Sequence, residues 1–375
     1  MSYGRLNIIL ISLFCHFSIV AQASLIGTAP APKASNFCII AMSPSQSQSS
    51  HQVKINIQVP ADGVTPEWSL DQTSRARAAA EEVVNSVASI LPNYRLPLEL
   101  TFEMYPDNDG MKWRKKAGQI DSWAPDRDVV MIRSSMIDST LRGYTRTVVA
   151  HEFTHVIFDI LLREISESWN RHAFKLEEMA KLSRLSYEPW KQAQRLAYLR
   201  GRMWDMREMA NLAYQFRKLI DQVNPLISQY NVLNEQLNAN PPAIATLRPP
   251  YAELMSDLVE LFYAENAQTV AATGSRDFQV QIDWTKLDSW TPVQYKGRPE
   301  EHHLFDPIRS WLWESHLKQD LTTPATKIRI AEHVLKAIME EIKEIEAQGF
   351  LLMPDSDENA RKMNLRLREI LEKKL

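Results

Sequence analysis

The sequence predicts an α+β fold that is mostly helical, and three observations predict it. Short stretches that alternate apolar and polar residues mark a few strands in the N-terminal half. Apolar residues at helical spacing then run through most of residues 164–240. Further helical patterns fill the remainder of the chain. At 375 residues, the polypeptide is long enough to bury a sizeable core in two or three packed subdomains.

The elements follow in order. Arg5 precedes a mostly apolar run from Leu6 to Val20, and Ala21-Gln22-Ala23 offers a small-x-small cleavage site before Ser24. The run is short for a membrane span, so residues 1–23 are expected to be a cleaved signal peptide and the mature protein exported, periplasmic or secreted. Cys15 leaves with that signal, and a lone Cys38 cannot form an internal disulfide. Beside Ile39 and Ile40 it reads as a small buried hydrophobe. Residues 24–50 are rich in Ala, Pro, Ser and Gln and read as a linker or pro-segment.

Residues 51–163 are expected to form the first subdomain. Val53 to Val59 alternates as a half-buried strand ending at Pro60, and Asp71 precedes a helix through Ala80, Val83, Val87 and Ile90 that Pro92 stops. Leu96 to Met104 and Asp128 to Arg133 read as further strands, with a turn at residues 107–110. A sheet edge beside the next helix could receive an extended peptide through main-chain hydrogen bonds.

That next helix carries Val149-Ala150-His151-Glu152-Phe153-Thr154-His155-Val156-Ile157-Phe158. His151 and His155 are four apart, so their imidazoles lie on one helical face, one turn apart, where two ring nitrogens can grip one Zn²⁺. Glu152 lies off that stripe but within reach of a metal-held water, the place for a general base. The flanks are uncharged, as a buried metal helix requires. The bland alternative is a buried helix whose two His bond to neighbours.

In residues 164–240, Ile165, Trp169, Leu176, Met179, Leu182 and Leu185 recur at helical spacing, and the pattern resumes from Trp190 to Ile220. Pro189 and Pro225 are expected to interrupt it, giving two or three helices folded back on each other. The Trp and Met stripe reads as core. Residues 241–350 form the next part, with breaks expected at Pro241-Pro242 and Pro249-Pro250. The helix from Tyr251 to Tyr263 places Glu253 and Asp257 on one face. A catalytic zinc takes three protein ligands and keeps one position open. Glu253 can be the third, and Asp257 can accept the other ring N–H of a ligand His. Glu260, Glu265 or a later His are the competitors for the third ligand.

H-E-x-x-H followed by a helix bearing E-x-x-x-D resembles the gluzincin zinc metallopeptidases, of which thermolysin is the best-known relative. The resemblance covers two short helices. It implies a zincin-like core of small mixed sheet plus active-site helix, with residues 164–240 as a long helical-hairpin insertion in the interval between His155 and Glu253, which stand 98 positions apart. It implies His151, His155 and Glu253 as Zn²⁺ ligands, Asp257 as the partner of His151, and Glu152 as the base that assists attack of a zinc-held water on a peptide bond. In such enzymes a His or Tyr from the later subdomain steadies the oxyanion, which points to His302 or His303 with Arg309. A helical pair of adjacent His points about 100° apart, so at most one should face the site. The metzincin continuation is excluded, because Phe158 and Leu161 stand where Gly and His are required.

Phe278 to Ile282 is a possible strand, Thr323-Pro324 starts a helix running to Gly349, and residues 351–375 form a last charged helix begun by Ser356. The formal charge of −3 and pI near 6.3 imply no nucleic-acid partner and no membrane-surface field. No stretch after the signal is apolar and long enough to span a bilayer. The expected partner is a peptide or protein substrate; the oligomeric state is open. Two other readings share these features: a non-catalytic binding protein that keeps the metal helix, and a zinc hydrolase of cell-wall or other non-peptide amides.

Overall fold

The computed structural model describes residues 53–58, 70–97, 99–105, 129–133, 142–202, 205–267, 278–348 and 353–375. The expected signal peptide, the 24–50 segment with Cys38 and the 107–110 turn lie outside them.

The chain is mostly helical with a small sheet. Strands β1 (Lys54–Gln58), β2 (Glu99–Tyr105) and β3 (Val129–Arg133) lie in that order, and both pairs are parallel, with Ile55 opposite Leu100 and Phe102 opposite Val130. The sequence predicts a mixed sheet; among the described strands of this sheet the pairing is all parallel. Connectivity explains the difference. Parallel neighbours need a crossover of a dozen or more residues. Helix α1 (Leu70–Ile90) supplies one between β1 and β2, and residues 106–128 are long enough to supply the next. Inward-facing Val53, Ile55 and Leu100 share a core with Ala80, Val83, Val84 and Val87 of α1.

Helix α2 (Arg142–Ile165) is buried on nearly every side from Val149 to Asp159. Ser166 ends it and caps the next helix, its hydroxyl accepting from the Trp169 N–H. Helices α3 (Glu167–Arg200) and α4 (Met206–Ala239) then pack on each other as a long hairpin, with Asp205 capping α4 through the N–H groups of Arg207 and Glu208. Pro189 and Pro225 do not interrupt these helices. A mid-helix proline removes one hydrogen bond and crowds the preceding turn, at a cost of about 3 kcal/mol. Packing along two 34-residue helices outweighs that local penalty.

Helix α5 (Ile244–Ala264) likewise begins before Pro249-Pro250 instead of after them. Ile244, Leu247 and Pro250 are all buried, so the early turns are held by core contacts that local proline rules do not register. The helix stops at Glu265, whose left-handed φ of 54° turns its N–H onto the Leu261 carbonyl. Beyond it come a 3₁₀ turn (Trp284–Ser289), the short ladder β4 (Gln294–Tyr295) and β5 (Arg298–Pro299), α6 (Asp306–Leu312) running into a π turn, α7 (Pro324–Ala347) and α8 (Asp357–Glu372). The strand expected at Phe278 to Ile282 is not formed. Only Phe278 enters the core while Val280 is exposed, so the run lacks the inward alternation a strand would need. No described helix is long and apolar enough to cross a membrane.

Candidate metal centre

Helices α2 and α5 pack face to face, and their polar side chains meet inside an apolar shell. From α2 come His151, Glu152 and His155, 4%, 6% and 8% exposed. From α5 come Glu253, Asp257 and Glu260, three side chains on one stripe at i, i+4 and i+7. Their neighbours Tyr251, Leu254, Met255, Leu258 and Phe262 are almost wholly buried. Charged groups are rarely taken into such a shell unless something pairs with them.

Three side chains converge, Glu253 facing one imidazole with each of its two oxygens. His155 Nε2 lies 3.1 Å from His151 Nε2, Glu253 Oε2 is 3.3 Å from His151 Nε2, and Glu253 Oε1 is 3.4 Å from His155 Nε2. Tetrahedral zinc with bonds of about 2.0–2.1 Å separates its donors by roughly 3.3 Å. The imidazole nitrogens and the Glu253 carboxylate therefore stand at spacings compatible with one small divalent cation between them, and the three side chains could hold such an ion.

The back of His151 is also furnished. Its Nδ1 lies 3.0 Å from Glu260 Oε2 and 3.3 Å from Asp257 Oδ1. A carboxylate there draws the ring proton to Nδ1 and leaves the Nε2 lone pair facing His155 and Glu253, the tautomer a ligand needs. Burial lowers the His155 pKa to about 4, against the pull of Glu253, so this imidazole is neutral near pH 7. For Glu253, burial pushes upward but the two imidazoles outweigh it, and its carboxyl stands well below the ordinary range. A carboxylate beside a neutral His155 and the Nε2 of His151 is a coordinating set.

The remaining residues singled out from the sequence are placed as follows. Glu152 is buried on α2 directly after His151. His302 stands at the margin, its Nε2 3.6 Å from Glu253 Oε1 and its Nδ1 bonded to Glu300. His303 turns elsewhere, onto Asp306 at 3.0 Å, and that hydrogen bond raises its pKa. Arg309 does not stand with them as an oxyanion donor. It is wholly buried, 2.5 Å from Asp257 Oδ2 and 3.1 Å from Asp306 Oδ1. An unbroken polar chain thus runs from His303 through Asp306, Arg309 and Asp257 to His151. The reason is the packing of α6: its buried face, with Ile308 and Leu312, carries Arg309 inward onto the only kind of partner that offsets a desolvated guanidinium.

Some residues escaped the sequence reading. Glu260 was marked there only as a rival ligand, yet it is the nearer carboxylate to His151 Nδ1; its i+7 spacing from Glu253 was the available signal. Asp159, one turn beyond His155, accepts from Trp169 Nε1 at 2.9 Å and Arg163 Nε at 2.6 Å, with Arg248 Nε 3.6 Å away. This knot ties α2, the start of α3 and α5 together, and Arg248 also lies over the Trp169 ring. Comparison of the chain with protein-family models, with curated proteins and with solved structures finds no match.

Proposed function

We propose that the chain is an exported zinc-dependent metallopeptidase of gluzincin type, built on a zincin-like core, with His151, His155 and Glu253 as the metal ligands. The observation that carries this reading is the convergence of His151, His155 and the Glu253 carboxylate from two helices, at 3.1, 3.3 and 3.4 Å. Zinc, when bound, supplies a Lewis acid that acidifies water and polarises a carbonyl. Glu152 takes the proton from the attacking water and passes it to the leaving amine. Glu260 and Asp257 hold the His151 ring in register, and Arg309 neutralises Asp257 from behind. His302, at the rim of this cluster and part-exposed, is the group best positioned to donate to the oxygen that gains charge.

Metal analysis of purified protein, with His151→Ala and Glu253→Ala alongside, tests the ligand set. One equivalent of zinc in the parent and none in either variant is the expected result; equal occupancy in Glu253→Ala removes Glu253 as ligand. Cleavage of a broad quenched-peptide library tests the activity. Zinc without peptide or amide cleavage favours a non-catalytic binding protein, and cleavage confined to peptidoglycan fragments moves the substrate to non-peptide amides.

A further inference from the structure

The α3–α4 hairpin reaches far from the metal helices. Each arm has 34 residues, about 50 Å at 1.5 Å per residue. Its two arms pack on each other far more than on α2 or α5. Its far end differs in character from the rest of an acidic chain. Between residues 195 and 218 stand Arg195, Arg200, Arg202, Arg207, Arg217 and Lys218 against Asp205 and Glu208 alone. All six cations are exposed, and none has an ion pair with a described residue. Asp205 is occupied capping α4.

The same end exposes large apolar side chains. Met206 is 80% exposed, Tyr214 70% and Tyr198 57%, and Arg202 lies over the Tyr198 ring at 4.4 Å. Leu196, Leu199 and Leu219 floor a shallow groove between the two helices, with Arg195 and Lys218 at its rim. Cations interleaved with Tyr, Met and Leu on a projecting convex tip suit a flat anionic surface, where the charges meet headgroups and the apolar groups enter the interface.

We propose that the hairpin tip docks this protein on a bilayer containing anionic lipids, holding the metal centre at a distance from the membrane. The fit comes from charge complementarity of the tip against an overall acidic chain, which leaves the rest of the molecule repelled by the same surface. Docking is peripheral; no described helix is long and apolar enough to cross the bilayer. This rests on nothing in the metal reading.

The test is flotation of the full chain with vesicles of phosphatidylcholine alone or with about 30 mol% phosphatidylglycerol, in salt near ~0.1 M and ~0.5 M. Binding is expected only to the anionic vesicles, and to fall with salt. Arg200→Glu, Arg202→Glu and Arg207→Glu together should weaken it more than about a hundredfold, at about fivefold for each cation removed. A matched change elsewhere, Lys318→Glu with Lys336→Glu and Lys362→Glu, should alter it by no more than about tenfold, a screened long-range effect. Met206→Ser with Tyr214→Ser, which leaves every charge in place, should cost about tenfold through lost interfacial burial. Circular dichroism confirms that each variant is folded, and Glu152→Gln protein should bind as the parent does. Equal binding to neutral vesicles, or full binding by the folded tip variant, overturns the proposal. Tip-dependent retention on polyglutamate or nucleic acid without vesicle binding overturns it too, by assigning the surface to a polyanion.

Discussion

The α2–α5 pair and the α3–α4 hairpin are both helix pairs, yet they treat charge in opposite ways. In the first, His151, Asp257, Glu260 and Arg309 are sealed among Phe153, Leu258 and Ile308, and every one has a close polar neighbour. In the second, pairs such as Arg171 with Glu167 sit in water with most of their surface exposed. Burial is what gives a charge consequence. A solvated pair is worth little because water serves either partner nearly as well, whereas a sealed one must be satisfied by the fold or by a ligand. On the proposed reading, that contrast assigns chemistry to the sealed pair and spacing to the solvated one.

The contrast can be broken or sharpened by substitution, beginning where the effect is largest. Glu152→Gln is expected to lower kcat/KM about 10³-fold or more while zinc content stays at the parental level; steady-state kinetics with metal analysis checks both. Arg309→Met should destabilise the fold by about 3–5 kcal/mol, because Asp257 and Asp306 lose their buried cation; urea unfolding reads the difference. Glu260→Gln should weaken zinc affinity about 10- to 100-fold through a looser His151 ring, measured by competition with a chelator. At the small end, Arg171→Ala on the hairpin should move stability by less than about 0.5 kcal/mol.

Acid sharpens the comparison from another side. The His155 pKa in the folded chain, about 4, lies below the ordinary value of 6.5. The unfolded chain therefore takes up the proton first as pH falls. The stability from keeping His155 neutral is complete above about 6.5 and is lost progressively down to about 4. Chelator-stripped protein should show this slope in its urea midpoint, and His155→Gln should flatten it.

Legibility followed the same divide. His151, Glu152 and His155 could be read from spacing because helical geometry makes residues four apart neighbours whatever surrounds them. Glu253 and Asp257 were readable for the same reason, as a stripe on an apolar helix. The helix start at Ser356 was legible from its capping hydroxyl, and that at Pro324 from a proline at the first helical position, although the Thr323 side chain makes no cap bond. Proline rules failed at Pro189, Pro225 and Pro249-Pro250, since they price one lost hydrogen bond and are blind to the packing that offsets it. The Phe278 run failed for the converse reason: its composition suits a strand, but no sheet edge receives it.

Local order along the polymer was thus enough to specify two metal-type imidazoles with a carboxylate beside them, a mostly helical body and a long hairpin. Proximity of His155 and Glu253, 98 positions apart, the choice of Glu260 as the nearer support of His151, and the withdrawal of Arg309 into the core came from folding. Periodicity reports which side of a helix a residue occupies. Which other helix that side meets depends on long-range packing, where many weak apolar contacts outvote any single local preference.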